Sequence, residues 1–585
     1  MAVLSRFRAS FRRSTADSAV TSVDMNMVEK DKEASATDAT TAGNGSTELH
    51  DETPKEDTQH GVKHVEAVTL TWTKASLIAV FANIWLLYFV NAFQSSILSN
   101  LLPYVTSDFE THSLLNVIYV VADAMTAAVY IPLSKVLDVF GRAEGFLVMT
   151  VFATLGLILM AVFYSLGFGG MTYCVDVLTA DVSKLKNRGL AYAFTSSPYI
   201  ITAFAGAKAS EGFYEKISWR WGFGTFAIVF PVVAAPLYFL MKYSIRKAEK
   251  QGVLTKERSG RTFPQNVWHW TIEFDVVGVI LFSVGLTVFF LPFDIASMAP
   301  NGWGSDYIIA MIVVGCVMLV IFILYETYVA PTPLLNFGLI TNRTVIGACL
   351  LDATYQISYY CWDNYFTSFL QVVNDLSIAQ AGYVNNTFDV VSGVLLLLVG
   401  FLIRRTGRFK WLLYIAVPLY VFTQGLMIYF RRPNQSVGYL VMCQAFISIG
   451  GAIFIIVEQL SILAAVDHQH VAAVLALLNV VGTVGDGMGS TISGAIWTNT
   501  FPGALQRYLP ASAMDNFEGI YEELDTQLSY PVGSAARMAI QEAYAYAQTR
   551  MLAAGTGIMA LAFVWVLMIR NIDLKKVAQV KGIVF

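Results

Sequence analysis

The chain consists mainly of apolar segments of about 20 residues, separated by short polar stretches. A helix needs about 20 mostly apolar residues to cross the roughly 30 Å of hydrocarbon in a bilayer. We count fourteen such segments, and the pattern therefore predicts an all-α polytopic membrane protein embedded in a lipid bilayer. Their approximate bounds are 75–99, 114–134, 144–166, 168–183, 189–209, 222–242, 273–293, 307–330, 343–370, 381–403, 410–430, 437–463, 470–497 and 551–570.

The composition argues against a large soluble protein. Of the 585 residues, 56% are hydrophobic and only 14% are charged, whereas soluble domains carry roughly 25% charged residues. The formal net charge of -4 gives no reason to expect a nucleic-acid partner. The five cysteines lie in apolar segments without CxxC spacing, so we expect neither a disulfide framework nor a metal site. No nucleophile–base pair is evident, so we expect neither an enzyme nor a cofactor.

The loop charges predict the orientation of the chain. Cytosolic loops of membrane proteins hold an excess of Lys and Arg. Here the loops after segments two, four, six and ten are basic, whereas those after segments one, seven and nine contain no Lys or Arg. Both termini are then cytosolic, and we expect a plasma-membrane protein with a possible endosomal or vesicular pool. Arg431 and Arg432 are exceptions, because this orientation places them outside.

The candidate acidic residues inside the apolar segments are Asp123, Asp176, Asp181, Asp352, Asp363, Asp389, Glu458 and Asp486. A charge at the bilayer centre costs about 2.5–3.5 kcal/mol on insertion scales, so it usually faces a cavity or a partner. A carboxylate buried without a basic partner also binds a proton more tightly than one in water. We therefore select Asp123, Asp176 and Glu458 as candidates for proton coupling. The alternative is a helix–helix hydrogen bond or a charge at a helix end.

The ninth segment carries a polar and aromatic stripe. At 3.6 residues per turn, Tyr355, Tyr359, Asp363 and Phe366 share one helical face. Such a face suits a bulky ligand that is partly apolar and partly hydrogen-bonding. An aromatic belt at the outer interface would be the alternative explanation. The aromatic-rich outer loop over 498–548 either covers a ligand entrance or rests on the membrane surface.

Two weaker patterns have structural explanations. His468 and His470 could form a metal pair, but they lie at a helix end without further ligands, and we expect them to be solvated. The glycines of segment thirteen have a spacing that is typical of close helix packing.

Two related loops point to a known superfamily. Residues 134–142 read Ser134-Lys-Val-Leu-Asp138-Val-Phe-Gly141-Arg142, and residues 400–408 read Gly400-Phe-Leu-Ile-Arg-Arg-Thr-Gly-Arg. Both resemble the major facilitator loop G-x-x-x-D-R-x-G-R, which implies a charged latch on the cytosolic side. A turn with anchoring positive charges is the alternative. The implied latch residues are Asp138, Gly141, Arg142, Arg188, Arg404, Gly407 and Arg408.

Further stretches resemble the fungal siderophore-iron transporter family within this superfamily. They are residues 181–190 (DVSKLKNRGL), 218–222 (SWRWG) and 530–534 (YPVGS), together with Ala543 and Tyr544. The resemblance implies alternating-access import of ferric hydroxamate siderophores by symport with protons, and it is closest to members that import ferric triacetylfusarinine C. It also implies that Tyr530, Arg537 and Tyr544 contact the siderophore.

The resemblance further implies a major facilitator fold of 14 transmembrane helices, with two inserted helices between six-helix bundles. The expected organisation is a disordered cytosolic tail at 1–70, the N-terminal bundle at 71–242, a cytosolic loop at 243–272, the inserted helices and linker at 273–342, the C-terminal bundle at 343–570 and a cytosolic C-terminus at 571–585.

Two other functions are compatible with fourteen segments. A drug:proton antiporter has a similar size, but such exporters share a Gly-Pro motif in segment five, where this chain has Ser196-Ser197-Pro198-Tyr199. A siderophore sensor that transports nothing would be expected to carry a long structured cytosolic tail, and residues 571–585 are too few for one.

Overall fold

The structure is a computed structural model that describes residues 60–108, 115–159, 162–252, 262–296, 299–331, 341–576 and 584–585. Every regular element within these ranges is a helix. The N-terminal half contains α1 (His60–Thr71), α2 (Lys74–Asp108), α3 (Leu115–Val139), α4 (Arg142–Leu159), α5 (Val162–Asp181), α6 (Leu185–Ser196), α7 (Pro198–Gly212) and α8 (Trp219–Lys250).

Three helices follow in the middle of the chain: α9 (Phe263–Glu273), α10 (Val276–Ile295) and α11 (Asp306–Tyr328). The C-terminal half contains α12 (Arg343–Asp363), α13 (Phe366–Asn374), α14 (Ile378–Asn385), α15 (Thr387–Thr406), α16 (Lys410–Phe430), α17 (Val437–Leu463), α18 (Val471–Tyr508), α19 (Phe517–Glu522), α20 (Leu524–Ser529), α21 (Ala535–Met559) and α22 (Ala562–Met568).

Each of the fourteen apolar segments overlaps one of these helices or two consecutive ones. Ten helical stretches among the described residues are long and apolar enough to cross a membrane. Segment five is divided at Ser197, ahead of Pro198, because the proline ring cannot donate a helical hydrogen bond. Segment nine is divided at Asn364 and Tyr365, and Tyr365 has a left-handed backbone with φ 59°.

The two halves of the chain meet along two seams. In one seam α3 packs against α18, and α10 covers the junction by contacting both helices. In the other seam α6 and α7 pack against α14 and α15. We call the end of the helices near residues 134–142 the motif end, and the end near residues 509–534 the loop end.

Glycines allow the backbones to come unusually close at these helix contacts. A Cβ atom on Gly400 of α15 would lie only 2.9 Å from the carbonyl oxygen of Gly189 on α6. On α18, a Cβ at Gly485 or Gly489 would collide with the backbone of α12. The glycine spacing in segment thirteen therefore does correspond to close helix packing, as predicted.

Three predicted boundaries differ from the structure. Residues 60–70, assigned to the disordered tail, belong to α1, because Val65 and Val68 are buried where α1 packs on α8 and α3; residues 1–59 lie outside the described part. The predicted loop at 243–272 contains the end of α8 and most of α9. The long loop at 498–548 is shorter than expected, since α18 continues to Tyr508 and α21 begins at Ala535.

Candidate functional site

A buried ion triad lies at the motif end of the N-terminal half. Arg142, at the start of α4, donates from Nη1 to Asp138 of α3 and from Nε to Asp181 of α5, each at 2.9 Å. The turn between α3 and α4 depends on Gly141, whose φ of 107° is rarely adopted by other residues. Arg188 donates to the carbonyl oxygens of Ala180 and Ser183 and so caps α5. The structure thus brings Asp138, Gly141, Arg142 and Arg188 together.

The second copy of the motif is arranged differently. Arg404 and Arg408 are exposed and form no ion pair within the described residues. An acidic residue is missing here because Arg404 itself occupies its position. Gly407 ends α15 with φ 75°, and its carbonyl oxygen accepts a hydrogen bond from the backbone of Leu574 at 2.9 Å.

His468 faces the ion triad from the C-terminal half. Its Nε2 lies 3.9 Å from Oδ1 of Asp181, and its side chain is only 9% exposed. The expectation of a solvated His468 was therefore wrong, because the turn between α17 and α18 carries it to the α5–α6 loop. Burial lowers the pKa of the imidazole; Arg188 and Arg142 lower it further, while Asp181 opposes the shift.

A polar wall lies on the N-terminal half midway along the helices. Asp176 of α5 accepts a hydrogen bond of 2.8 Å from the hydroxyl of Tyr88 on α2. The hydroxyl of Tyr192 on α6 donates to the backbone oxygen of Asp176 at 3.1 Å. Asp176 is half-buried, and no ion pair holds it within the described residues.

Four carboxyl groups from four helices form a second cluster, which we call the four-acid cluster: Asp123 (α3), Asp352 (α12), Glu458 (α17) and Asp486 (α18). Asp352 and Glu458 are buried and lie close enough to interact with each other. Two carboxylates offer only acceptors, so a hydrogen bond between these groups needs a proton on one of them. Asp486 interacts electrostatically with Asp123 across the seam between α3 and α18.

Sequence reasoning placed Asp123 and Glu458 among the proton-coupling candidates but not their partners Asp352 and Asp486. The glycine spacing of α18 could have indicated the position of Asp352. A Cβ atom at Gly482 would lie 2.4 Å from Oδ2 of Asp352, so the glycine provides the space for this carboxyl group.

Aromatic rings line the C-terminal half beside the four-acid cluster. Tyr355 packs against Phe454 at a centroid distance of 5.4 Å, and Tyr359 packs against Phe388 at 5.3 Å. We call this group the aromatic wall; it comprises Tyr355, Tyr359, Trp362, Phe388, Tyr420 and Phe454. The hydroxyl groups of Tyr355 and Tyr359 form no hydrogen bond to any other described residue; Tyr355 is buried and Tyr359 is half-buried.

The predicted stripe on segment nine stops earlier than expected. Helix α12 ends at Asp363, and the left-handed Tyr365 turns the chain before α13 begins. Asp363 is half-buried beyond the aromatic wall, close enough to Asp389 and Arg431 to interact electrostatically. Phe366 no longer continues the face, because it is fully buried beneath the guanidinium of Arg431.

Arg431 is a buried cation that the sequence analysis placed outside. It is fully buried, and its guanidinium lies 4.0 Å from the ring centre of Phe366. It donates to the backbone oxygen of Trp362 and to Oε1 of Gln548, the latter at 2.7 Å. The sequence did contain a signal for this burial, because Arg431 does not fit the positive-inside pattern. Arg431 secures the break between α12 and α13.

The three loop residues implied by the resemblance occupy different environments. Tyr530 is half-buried, and its hydroxyl accepts a hydrogen bond from Asn516 at 3.4 Å. Tyr544 is fully buried and donates to Oε1 of Gln527 at 2.7 Å. Arg537 is 1% exposed, and its guanidinium binds backbone carbonyl groups.

Comparison with known proteins identifies the family. Residues 84–351 match the profile of the Major Facilitator Superfamily. The chain is 57% identical over 570 residues to siderophore iron transporter mirB of Emericella nidulans, covering 94% of each chain. This chain belongs to the siderophore iron transporter family. It is also 55% identical to MFS siderochrome iron transporter 1 of Gibberella zeae, covering 91% of this chain and 89% of that one.

Family membership confirms the resemblance inferred from the motifs. The chain is a multi-span membrane transporter of the major facilitator superfamily and not an enzyme. Among solved structures, the human organic anion transporter MFSD10 (TETRAN) aligns with a TM-score of 0.50 at 12% identity, over 84% of this chain and 99% of that one. At that identity the match shows the fold alone.

The burial of His468 predicts a pH effect on stability. Its lowered pKa keeps the folded imidazole neutral, whereas the unfolded chain binds a proton below about pH 6.5. This group therefore lowers the folding stability as the pH falls through that range. We expect the melting temperature of His468→Gln to drop less than that of the wild type between pH 7.5 and 5.5.

The measurement is thermal unfolding of the purified protein at both pH values. His470→Gln, in the same turn, controls for the loss of a histidine. An identical pH response in His468→Gln and the wild type would contradict the prediction.

Proposed function

We propose that this protein imports ferric hydroxamate siderophores across the plasma membrane in symport with protons. The observation that carries the proposal is the 57% identity, over almost the whole chain, to a siderophore iron transporter. Ferric triacetylfusarinine C is the proposed substrate. The iron enters already chelated, so it is part of the substrate and the protein needs no resident metal.

The proposed topology has fourteen transmembrane helices with both termini in the cytosol. Two six-helix bundles flank the inserted helices α10 and α11. The basic loops after segments two, four, six and ten assign the motif end to the cytosol. The loop end then faces the outside, where the siderophore arrives.

The aromatic wall is the proposed siderophore contact. Ferric hydroxamate complexes are bulky, with apolar arms and exposed oxygen atoms. The half-buried ring of Tyr359 offers apolar surface, with the buried rings of Tyr355 and Phe388 packed behind it, and the two tyrosine hydroxyls can donate to ligand oxygens if the wall opens to the ligand. Asp363 stands next to this wall on the side toward the loop end.

The four-acid cluster and Asp176 are the proposed proton-coupling groups. Asp352 and Glu458 lie close together, and a proton on one of them would allow a hydrogen bond between the two groups. Asp123 and Asp486 face each other across a seam that must open and close if the halves alternate in access. One proton moving down 100 mV releases about 2.3 kcal/mol. At 1.36 kcal/mol per decade, this supports roughly a 50-fold concentration gradient.

Alternating access requires that the halves separate at one end at a time. At the motif end the ion triad, His468 and the contact between Gly189 and Gly400 support a closed cytosolic side. Protonation of the acids that face the seam would weaken repulsion between the halves and so couple the two events.

The function predicts energy-dependent uptake of iron. Cells that lack other siderophore carriers and express this protein should accumulate radioactive iron supplied as ferric triacetylfusarinine C. A protonophore should abolish the accumulation, because the gradient is its energy source. Absence of uptake, with the protein verified at the cell surface, would contradict this substrate, and efflux of the complex would then be measured.

The acid groups predict a loss of pH dependence. We expect Asp123→Asn, Asp176→Asn and Glu458→Gln each to flatten the dependence of uptake on external pH, because an amide cannot carry the proton. Uptake between pH 5 and 8 at equal surface expression checks this. Asp467→Asn, which alters an exposed carboxylate at the motif end, is the matched control. Unchanged pH profiles in all three variants would remove the proposed role.

The aromatic wall predicts a substrate-affinity effect. Tyr359→Phe removes one unpartnered hydroxyl, and a neutral hydrogen bond contributes about 0.5–1.5 kcal/mol. We therefore expect KM for the ferric siderophore to rise roughly two- to tenfold. Tyr414→Phe removes the same atom from an exposed position of α16 and should leave KM unchanged. Equal KM values in both variants would place the substrate elsewhere.

A further inference from the structure

Arg537 joins two separate pieces of the C-terminal half at the loop end. Its guanidinium donates from Nε to the carbonyl oxygen of Val372 at 3.0 Å and from Nη2 to that of Gln371 at 3.2 Å, both in the last turns of α13. Nη1 donates to the carbonyl oxygen of Gln527 in α20 at 2.6 Å. One buried side chain therefore fixes α20 relative to α13.

Helices α13 and α20 each accept a hydrogen bond from a tyrosine of the N-terminal half. Oε1 of Gln371 accepts a hydrogen bond from the hydroxyl of Tyr104 on α2, and both side chains are buried. Asp525, two residues before Gln527, accepts a hydrogen bond of 3.0 Å from the hydroxyl of Tyr214, just after α7. The rings of Tyr104 and Tyr214 contact each other at a centroid distance of 4.2 Å.

These contacts form one continuous bridge between the halves at the loop end. The two tyrosines are its N-terminal side, and their acceptors on α13 and α20 are its C-terminal side. Arg537 binds the backbone carbonyl group of Gln371, whose side chain is one acceptor. It also binds the carbonyl group of Gln527, two residues after Asp525, the other acceptor. The rings and acceptors meet at the spacing that α13 and α20 have here, and Arg537 binds both helices and so helps to hold that spacing.

We infer that Tyr104, Tyr214, Gln371 and Asp525 form the gate at the loop end of the pathway, and that Arg537 is the positioning residue that aligns its C-terminal side. The inference rests on the proposed function, because it assigns the gate to a carrier with alternating access. It gives Arg537 a role through the gate, distinct from the direct contact with siderophore that the family resemblance implies.

The fork of the guanidinium makes the arrangement sensitive to a conservative change. Arginine presents five N–H donors in one plane, whereas a lysine ammonium is a point charge on a flexible stem. A lysine at position 537 retains the charge but cannot hold the three carbonyl groups of α13 and α20 together. Arg537→Lys should therefore loosen the gate without adding or removing a charge.

The test measures gate opening without substrate. Spin labels are placed at Lys216→Cys and Glu518→Cys, two exposed positions on opposite halves at the loop end, in full-length protein whose exposed Cys316 is replaced by Ser. We expect Arg537→Lys and the double variant Tyr104→Phe/Tyr214→Phe each to add a population at longer distance. Arg550→Lys, an exposed arginine on the same helix, should give the wild-type distances.

The combined variant and an uptake assay give two further readouts. Adding Arg537→Lys to the double tyrosine variant should produce little extra opening, because the bonds that it aligns are already lost. In uptake of ferric triacetylfusarinine C, the maximal rate of Arg537→Lys should fall severalfold while KM changes less than twofold. If Arg537→Lys does not reach the membrane, Arg537→Gln, whose amide can still donate to two carbonyls, takes its place.

The outcomes separate the possible roles of Arg537. Unchanged label distances together with a tenfold or larger rise in KM would overturn the inference in favour of direct binding. Unchanged distances with reduced thermal stability would overturn it in favour of a purely structural role. The distances are measured without siderophore, so a failure of the proposed substrate leaves this readout intact.

Discussion

The ion triad of Arg142 with Asp138 and Asp181 holds the motif end of the bundle together. A buried cation is tolerated only when carboxylates and hydrogen bonds compensate its lost hydration, and removing one partner of such a pair costs about 3–5 kcal/mol. The triad joins α3, α4 and α5 at a single point. The turn that follows Asp181 leads into α6, which carries Arg188 and is one of the helices that pack against the C-terminal half.

The need to compensate a buried cation also explains why the two copies of the motif differ in burial. In the N-terminal half the motif supplies Arg142 and Asp138, and Asp181 at the end of α5 completes the triad, so the cation is paired within this half. In the C-terminal half the corresponding arginines are exposed, and the chain's own C-terminal segment contacts this loop instead, through Leu574. The four-acid cluster, which has no ion pair to a cation among the described residues, lies beside the aromatic wall.

Hydropathy predicted the positions of the helices well, because exposure to lipid acts on every residue of a span. The pairing of Asp138 with Arg142 was predictable because both residues belong to one short motif, whereas Asp181 was not assigned to the latch. Pairings between distant helices were not. Nothing local connects Asp352 to Glu458, or Arg431 to Gln548, and only packing brings them together. His468 was misjudged because its burial depends on a loop that is distant in the sequence. The break at Tyr365 was missed for a similar reason, because Arg431, which binds Trp362 and Phe366 on either side of it, is distant in the sequence.

The close approach of Gly189 and Gly400 has a mechanical consequence. A seam filled with long side chains can loosen gradually as rotamers change, whereas two main chains in direct contact have no rotamers to adjust. Such a joint is either shut or apart, and while shut it offers no gap to a hydrated ion. A carrier large enough to pass a siderophore can in this way avoid short-circuiting the voltage of the membrane that contains it.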